Sequence, residues 1–260
     1  MRKENFLKQK LAAGKFALGI FCEIPSGSVI NVIGCSGIDF VVIDSEHGPI
    51  NMETAENMIR AAEAEKMSPI IRVAENHPAL ILRALDIGAH GVQVPQISTR
   101  EQAQQAVRYA KYAPLGERGL SPFTRAGSYS LKKSVTHTAE ANKNTMVILN
   151  VEGVDGVNNL DEILTVDGVD VVFVGPYDLS QSVGKPGKVD DPVVVDSIRK
   201  CAQKIRAAGK VAGCFARDAS MLKLLVDCGY QYATYLVDAA ILLQACEQAN
   251  ETFKSYQKMS

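Results

Sequence analysis

Two carboxylates, a histidine and an arginine stand out because each sits at the end of an apolar run. Glu152 closes TMVILNVEG and Asp178 closes VDVVFVGPYD. His47 follows Asp44 and Glu46 at the end of DFVVIDSEH, and Arg72 breaks the apolar run SPIIRVAEN. Carboxylate oxygens with no thiolate or histidine cluster beside them suit a hard divalent cation such as Mg2+ or Mn2+. The plain structural alternative for Glu152 and Asp178 is that each caps the helix that follows. An arginine in a buried strand must face an anion, because burying it unpaired is costly. That anion would be a substrate carboxylate, an enolate or a structural Asp. A histidine at a strand end can take a proton and give it back, and Asp86 in ALILRALDIG is placed to orient its ring. Gly175 and Pro176, just before Tyr177 and Asp178, would let backbone N–H groups approach a carboxylate closely.

These residues are far apart in sequence, so the fold must gather them. Short β-rich runs recur at 16–24, 39–47, 68–76, 90–96, 145–153, 169–178, 209–216 and 230–238. They are continuously apolar, as strands covered on both faces are. Helical patterns lie between them, and Gly88, Gly209 and Gly229 read as helix C-caps. Strand–helix alternation repeated about eight times in 260 residues predicts a single-domain (β/α)8 TIM barrel spanning residues 1–260. An open doubly wound sheet is the alternative, but it would favour a G-x-G-x-x-G turn, and the sequence has none. In a barrel, chemistry gathers at the C-terminal strand ends. That rule collects Asp44, Glu46, His47, Arg72, Gln93, Gln96, Asn150, Glu152, Asp178 and Asp238 on one face.

The segment from Pro114 to Leu131 is long, rich in Gly, Ser and Pro, and carries Arg118 and Arg125. Such a loop in a compact barrel is usually functional, and its arginines read equally as substrate contacts or solvated charges. The final stretch, AAILLQACEQANETFKSYQKM, predicts one long helix that packs on the barrel or on a neighbouring subunit.

Composition removes several classes. A formal net charge of -1 with no basic patch argues against nucleic acid. The charged N-terminus lacks a signal peptide's apolar core, and no apolar run reaches membrane-spanning length, so a cytoplasmic location is expected. Cys22, Cys35, Cys201, Cys214, Cys228 and Cys246 form no C-x-x-C pair and read as buried reduced thiols. His77, His90 and His137 read as structural or surface residues. Lys210 stands at a strand start, the wrong face for a Schiff base.

The segments IDSEHGP, PIIRV, ALDIGAHGVQVP, GERG, VEGVDGVNNLDEIL and GPYDLSQSVG, in this order, resemble the HpcH/HpaI aldolase family of class II pyruvate aldolases. The resemblance runs from about residue 10 to 245. It implies a (β/α)8 barrel assembled as a homo-hexamer, a trimer of dimers, with the last helix swapped between subunits. It assigns Glu152 and Asp178 as ligands of a divalent metal (Mg2+, Mn2+ or Co2+) and Arg72 as the stabiliser of an enolate oxygen. It assigns His47 to proton transfer, Asp44 and Asp86 to its support, and the amides of Tyr177 and Asp178 to a 2-oxo acid carboxylate. Asn150 stands where many members carry Gln in contact with substrate, and Leu236 where many carry Gly or Ser. The implied reaction is metal-dependent retro-aldol cleavage of a 4-hydroxy-2-oxo acid to pyruvate and an aldehyde. The alternatives are an oxaloacetate-using carbon–carbon synthase that forms citrate with acetyl-CoA, and a non-catalytic metabolite-binding barrel.

Overall fold

The computed structural model describes residues 4–131 and 134–257. Among them, eight parallel strands close a barrel in chain order: β1 (Ala17–Cys22), β2 (Phe40–Asp44), β3 (Ser68–Arg72), β4 (Gly91–Val94), β5 (Met146–Val151), β6 (Val171–Val174), β7 (Val211–Ala216) and β8 (Tyr232–Val237). Every expected run holds one strand, trimmed at its polar ends. The helices are α1 (Phe6–Ala12), α2 (Gly27–Cys35), α3 (Met52–Ala64), α4 (Pro78–Asp86), α5 (Arg100–Ala110), α6 (Ser134–Asn144), α7 (Val154–Asn158), α8 (Leu160–Leu164), α9 (Pro176–Ser182), α10 (Pro192–Ala207), α11 (Ala219–Cys228) and α12 (Asp238–Gln257).

The apolar strands have two jobs, one per face. Val41, Ile43, Ile71, Val147, Leu149, Val172 and Val174 pack outward against the helices. Phe21, Phe40, Val42, Ile70, Met146, Ile148, Phe173 and Tyr232 fill the barrel interior. Alternate residues point to opposite faces, and both faces are dry, so the sequence shows no alternation. Leu7 and Leu11 of α1 join the interior cluster and plug the end where the strands begin. Asn5 ties that plug down by donating Nδ2 to the carbonyls of His90 and Asn144, each at 2.9 Å. The open end is therefore the one where the strands finish.

Local signals set the helix ends. Ser26, Asn51, Thr99 and Asp218 each accept a backbone N–H from the turn they cap. Gly229 ends α11 in the left-handed region at φ 82°, where a Cβ would be penalised.

Two expectations are corrected. The 114–131 segment follows α5, which runs from the end of β4 back to the barrel floor. Within one chain the segment lies at that floor, away from the strand C-termini. Its two arginines are neither solvated nor at the mouth: Arg118 pairs with Asp86 at 2.6 Å, and Arg125 pairs with Glu63. Both are buried, at 7% and 8% exposure. The cysteines are also mixed, for Cys35 and Cys246 are exposed while Cys22, Cys201 and Cys214 are buried. Of the two places expected for α12, its own barrel is not the one that buries it. Asp238 is its one fully buried residue, and Leu242, Leu243, Phe253 and Tyr256 stand 57–66% exposed.

Packing inside the barrel leaves no room at Gly19 of β1. A Cβ there would sit 2.2 Å from the Phe40 ring, which stacks on Tyr232 with centroids 4.3 Å apart. Gly19→Ala should destabilise the chain by about 1–3 kcal/mol, the usual cost of overpacking. Urea denaturation measures this, and an unchanged midpoint would mean that Phe40 is free to move.

Candidate active site

The mouth of the barrel is built from strand ends. Asp44, the last residue of β2, is completely buried and accepts three kinds of bond. Arg72 Nε donates to its Oδ1 at 2.9 Å, and an Arg72 terminal nitrogen donates to Oδ2. The amides of Glu46 and His47 also donate to Oδ1, at 3.0 and 3.3 Å. Neighbouring strands in register, with Asp44 beside Arg72, make this pairing possible. Glu46 lies 3.2 Å from the other terminal nitrogen of Arg72, and the Phe21 ring lies under the guanidinium at 4.7 Å. Arg72 is thus held by two carboxylates and an aromatic face. Its anion within the chain is Asp44, the structural option among those the sequence offered. Its 12% side-chain exposure still leaves an edge at the mouth.

Across the mouth, Glu152 follows β5 and Asp178 sits in the first turn of α9. Glu152 is 7% exposed and accepts the Gln96 amide at 3.0 Å. Gln96 reaches it by adopting a left-handed backbone at φ 57°, unusual for a residue with a Cβ. Gly175 makes the close approach possible, since a Cβ there would lie 3.0 Å from Glu152 Cγ. Neither carboxylate serves as a helix cap, for α7 and α9 start at Gly153 and Gly175 with no side-chain cap bond. Pro176 brings no N–H, so the amides of Tyr177 and Asp178 are the first that α9 presents. The Tyr177 ring packs on Phe215 at 5.8 Å.

Electrostatically, Glu152 is poorly compensated. Burial, with the nearby Asp178 charge adding to it, pushes its carboxyl up to about 7 against the Gln96 and Asn150 hydrogen bonds. Glu46 and Glu23 are raised mainly by burial as well, with Asp44 adding to both. The mouth is therefore short of positive charge around Glu152 and Asp178, as a cation site is before its ion arrives. Among the described residues, no group of three or more His, Cys, Asp and Glu is placed to hold a metal ion. Two carboxylates with water and substrate completing the shell are a common arrangement for Mg2+. The donor set thus fits the expected divalent metal.

The remaining expected residues are placed differently. His47 is exposed at the mouth, and Asp44 meets its backbone amide and not its ring. Asp86 ends α4 at the floor and bonds Arg118, so within one chain it does not orient His47. The reason is helix direction: α4 starts at the mouth after β3 and carries Asp86 to the opposite end. Asn150 is 1% exposed and turned inward onto Gln93, away from open solvent. Sequence reasoning missed Glu23, just past β1, although the strand-end rule that found Glu152 reaches it too. It also missed Phe21, whose contact with Arg72 leaves no sequence signal.

A sequence model of the HpcH/HpaI aldolase/citrate lyase family matches residues 17–245. The chain belongs to this family, and its fold and mouth agree with that membership. The pyruvate aldolase of Rhizobium etli is 34% identical over 243 residues, 94% of this chain and 95% of that one. The 2-keto-3-deoxy-L-rhamnonate aldolase of Salmonella gallinarum is 34% identical over 257 residues, 98% of this chain and 96% of that one. The solved citrate synthase SbnG superposes with a TM-score of 0.88 at 33% identity, covering 99% of this chain and 100% of its own.

The raised Glu152 carboxyl gives a pH signature. Its ordinary value is 4.5 and its folded value about 7, so the metal-free fold keeps the proton longer than the unfolded chain. Ionising it in the fold costs stability as pH rises from the ordinary value through the folded one. A cation must displace that same proton. Mn2+ affinity should therefore climb roughly tenfold per pH unit below about 7 and level off above it. Calorimetric titration between acid and neutral pH checks this, and a flat profile would remove Glu152 from the ligand set.

Proposed function

We propose that this chain is a carbon–carbon lyase that cleaves a 4-hydroxy-2-oxo acid to pyruvate and an aldehyde. The observation that carries the reading is the pairing of buried, undercompensated Glu152 with Asp178 opposite a pinned Arg72. The names of the aldolase relatives support the same reaction class. A divalent cation held by Glu152 and Asp178 (Mg2+, Mn2+ or Co2+) would supply Lewis acidity toward the 2-oxo group.

The chain's own residues account for the rest. The first amides of α9, at Tyr177 and Asp178, receive the substrate carboxylate, and Gly175 with Pro176 keeps that approach clear of side chains. The C3–C4 bond breaks as the 4-hydroxyl proton leaves toward His47, and its electron pair passes to the 2-oxo oxygen. Arg72 faces the enolate charge that builds there. Because Asp44 and Glu46 already fix its orientation, it has little reorganising to do. Protonation at C3 then completes pyruvate. Asp44 supports both Arg72 and the His47 turn.

Assembly belongs to the same reading. The bare apolar side chains of α12 suit burial on a second copy, and a homo-hexamer with swapped α12 helices would cover them. No helix of the described residues is long and apolar enough to cross a membrane.

The test is pyruvate release, read by a lactate dehydrogenase couple, across a panel of 4-hydroxy-2-oxo acids. Activity should disappear in EDTA and return with Mg2+, Mn2+ or Co2+; full activity after thorough chelation would end the proposal. The likeness to citrate synthase SbnG favours one competing reading. Thiol release from acetyl-CoA with oxaloacetate, in place of aldol cleavage, would support it. Within the aldolase reading, Arg72→Lys keeps the charge but not the planar fork that Asp44 grips. It should slow turnover by about two to three decades, as for one lost transition-state donor. Near-normal kcat in that variant would make Arg72 a structural partner of Asp44 alone.

A further inference from the structure

A chain of buried amides and one phenol crosses the barrel interior beneath the mouth. Tyr232 on β8 is completely buried, and its hydroxyl donates to Gln93 Oε1 on β4 at 3.2 Å. Gln93, also completely buried, donates Nε2 to Asn150 Oδ1 on β5 at 2.8 Å. Asn150 lies two residues before Glu152, so both point to the same side of the strand line, and the Asn150 amide favours the ionised form of the Glu152 carboxyl. These residues come from three strands. The Tyr232–Gln93 and Gln93–Asn150 bonds both join residues far apart in sequence.

The polarity of the chain is forced from its mouth end. Glu152 must be ionised to bind a metal, and an ionised carboxylate only accepts hydrogen bonds, so in that form Asn150 faces it with Nδ2 and keeps Oδ1 for Gln93. Gln93 must then offer Nε2, which leaves Oε1 to receive the Tyr232 proton. Each amide has one acceptable orientation, and the phenol supplies the last proton. Around the phenol, Phe40 stacks at 4.3 Å and Phe173 meets it edge-on at 6.0 Å, so Tyr232 cannot swing away. Beyond Gly213, whose added Cβ would lie 3.0 Å from the Tyr232 ring, the backbone of β7 closes the remaining side.

We propose that Tyr232 and Gln93 are positioning residues that fix the Asn150 amide, and through it the Glu152 carboxylate, for a divalent cation. This gives Asn150 a use other than direct substrate contact. It rests on the reading of Glu152 as a metal ligand. Outer partners that orient metal-binding carboxylates typically matter by about 10–100-fold in metal affinity.

The experiment uses the full chain, stripped of metal, with Mn2+ alone as the probe. Calorimetry gives Mn2+ affinity for wild type, Gln93→Met, Tyr232→Phe and the double variant, and thermal melting in EDTA checks folding. Gln93→Met should weaken Mn2+ binding by about 10–100-fold. Tyr232→Phe should weaken it less, in the same direction. In series, the double variant should lose little more than Gln93→Met alone. If Gln93→Met does not fold, Tyr232→Phe, which removes one oxygen, still decides. Tight wild-type binding that is unchanged in the folded variants overturns this proposal and leaves the metal reading intact. Additive losses in the double variant also overturn it, because the two residues would then act separately. No Mn2+ binding by wild type would overturn the metal reading, and this proposal with it.

Discussion

The mouth is governed by the problem of burying like charges together. Glu152 is nearly enclosed, Asp178 lies beside it, and Arg72 is already claimed on the other side. Arg72 gives its fork to Asp44 and a further nitrogen to Glu46. Removing one partner of such a buried pair typically costs about 3–5 kcal/mol, so Asp44 and Arg72 are bound to each other by stability as well as function. What remains, among the described residues, is a carboxylate pair without an ion-pair partner, at the end of the barrel that α1 does not plug. A divalent ion resolves that imbalance directly, and a 2-oxo acid arriving with it meets the guanidinium edge that Asp44 leaves exposed.

The two ends of the barrel use the same residue types for different purposes. At the floor, Asp86 with Arg118 and Glu63 with Arg125 and His90 form closed sets, each acid matched by a base. They anchor the long 111–131 connection to α3 and α4. Lys111 adds to this by donating to the carbonyls of Asn142 and Thr145, at 3.0 and 2.6 Å. At the mouth the acids crowd together, and burial raises the carboxyls of Glu23, Glu46 and Glu152. Balanced charge reads as architecture and unbalanced charge as a site, a distinction that residue identity alone does not carry.

That distinction marks where sequence reasoning stopped. The strands were legible because a barrel strand is apolar on both faces, and Glu152, Asp178 and Arg72 were legible because a charge closing such a run is expensive unless used. Gly88, Gly209 and Gly229 all take positive φ, as their positions after helical stretches predicted. The roles of Asp86, Arg118 and Arg125 were not legible. Their ends of the barrel follow from where α4 and α5 stop, and an amphipathic pattern does not show which charge a helix end will meet. The Tyr232–Gln93–Asn150 chain was equally hidden, since each member sits in a strand where an apolar residue would have served. Family resemblance supplied the metal and the reaction class. Physical reading of the side chains supplied the reason that Arg72 is rigid and the reason that the Glu152 carboxyl is raised.

The central claim is that Glu152 and Asp178 together form a cation site facing Arg72. The direct measurement is anomalous diffraction from a crystal of the full chain grown with Mn2+ and pyruvate. The account predicts one strong peak per chain in contact with both carboxylates, with pyruvate density between it and Arg72. A peak elsewhere, or pyruvate bound at the mouth with no ion on Glu152 and Asp178, would contradict it.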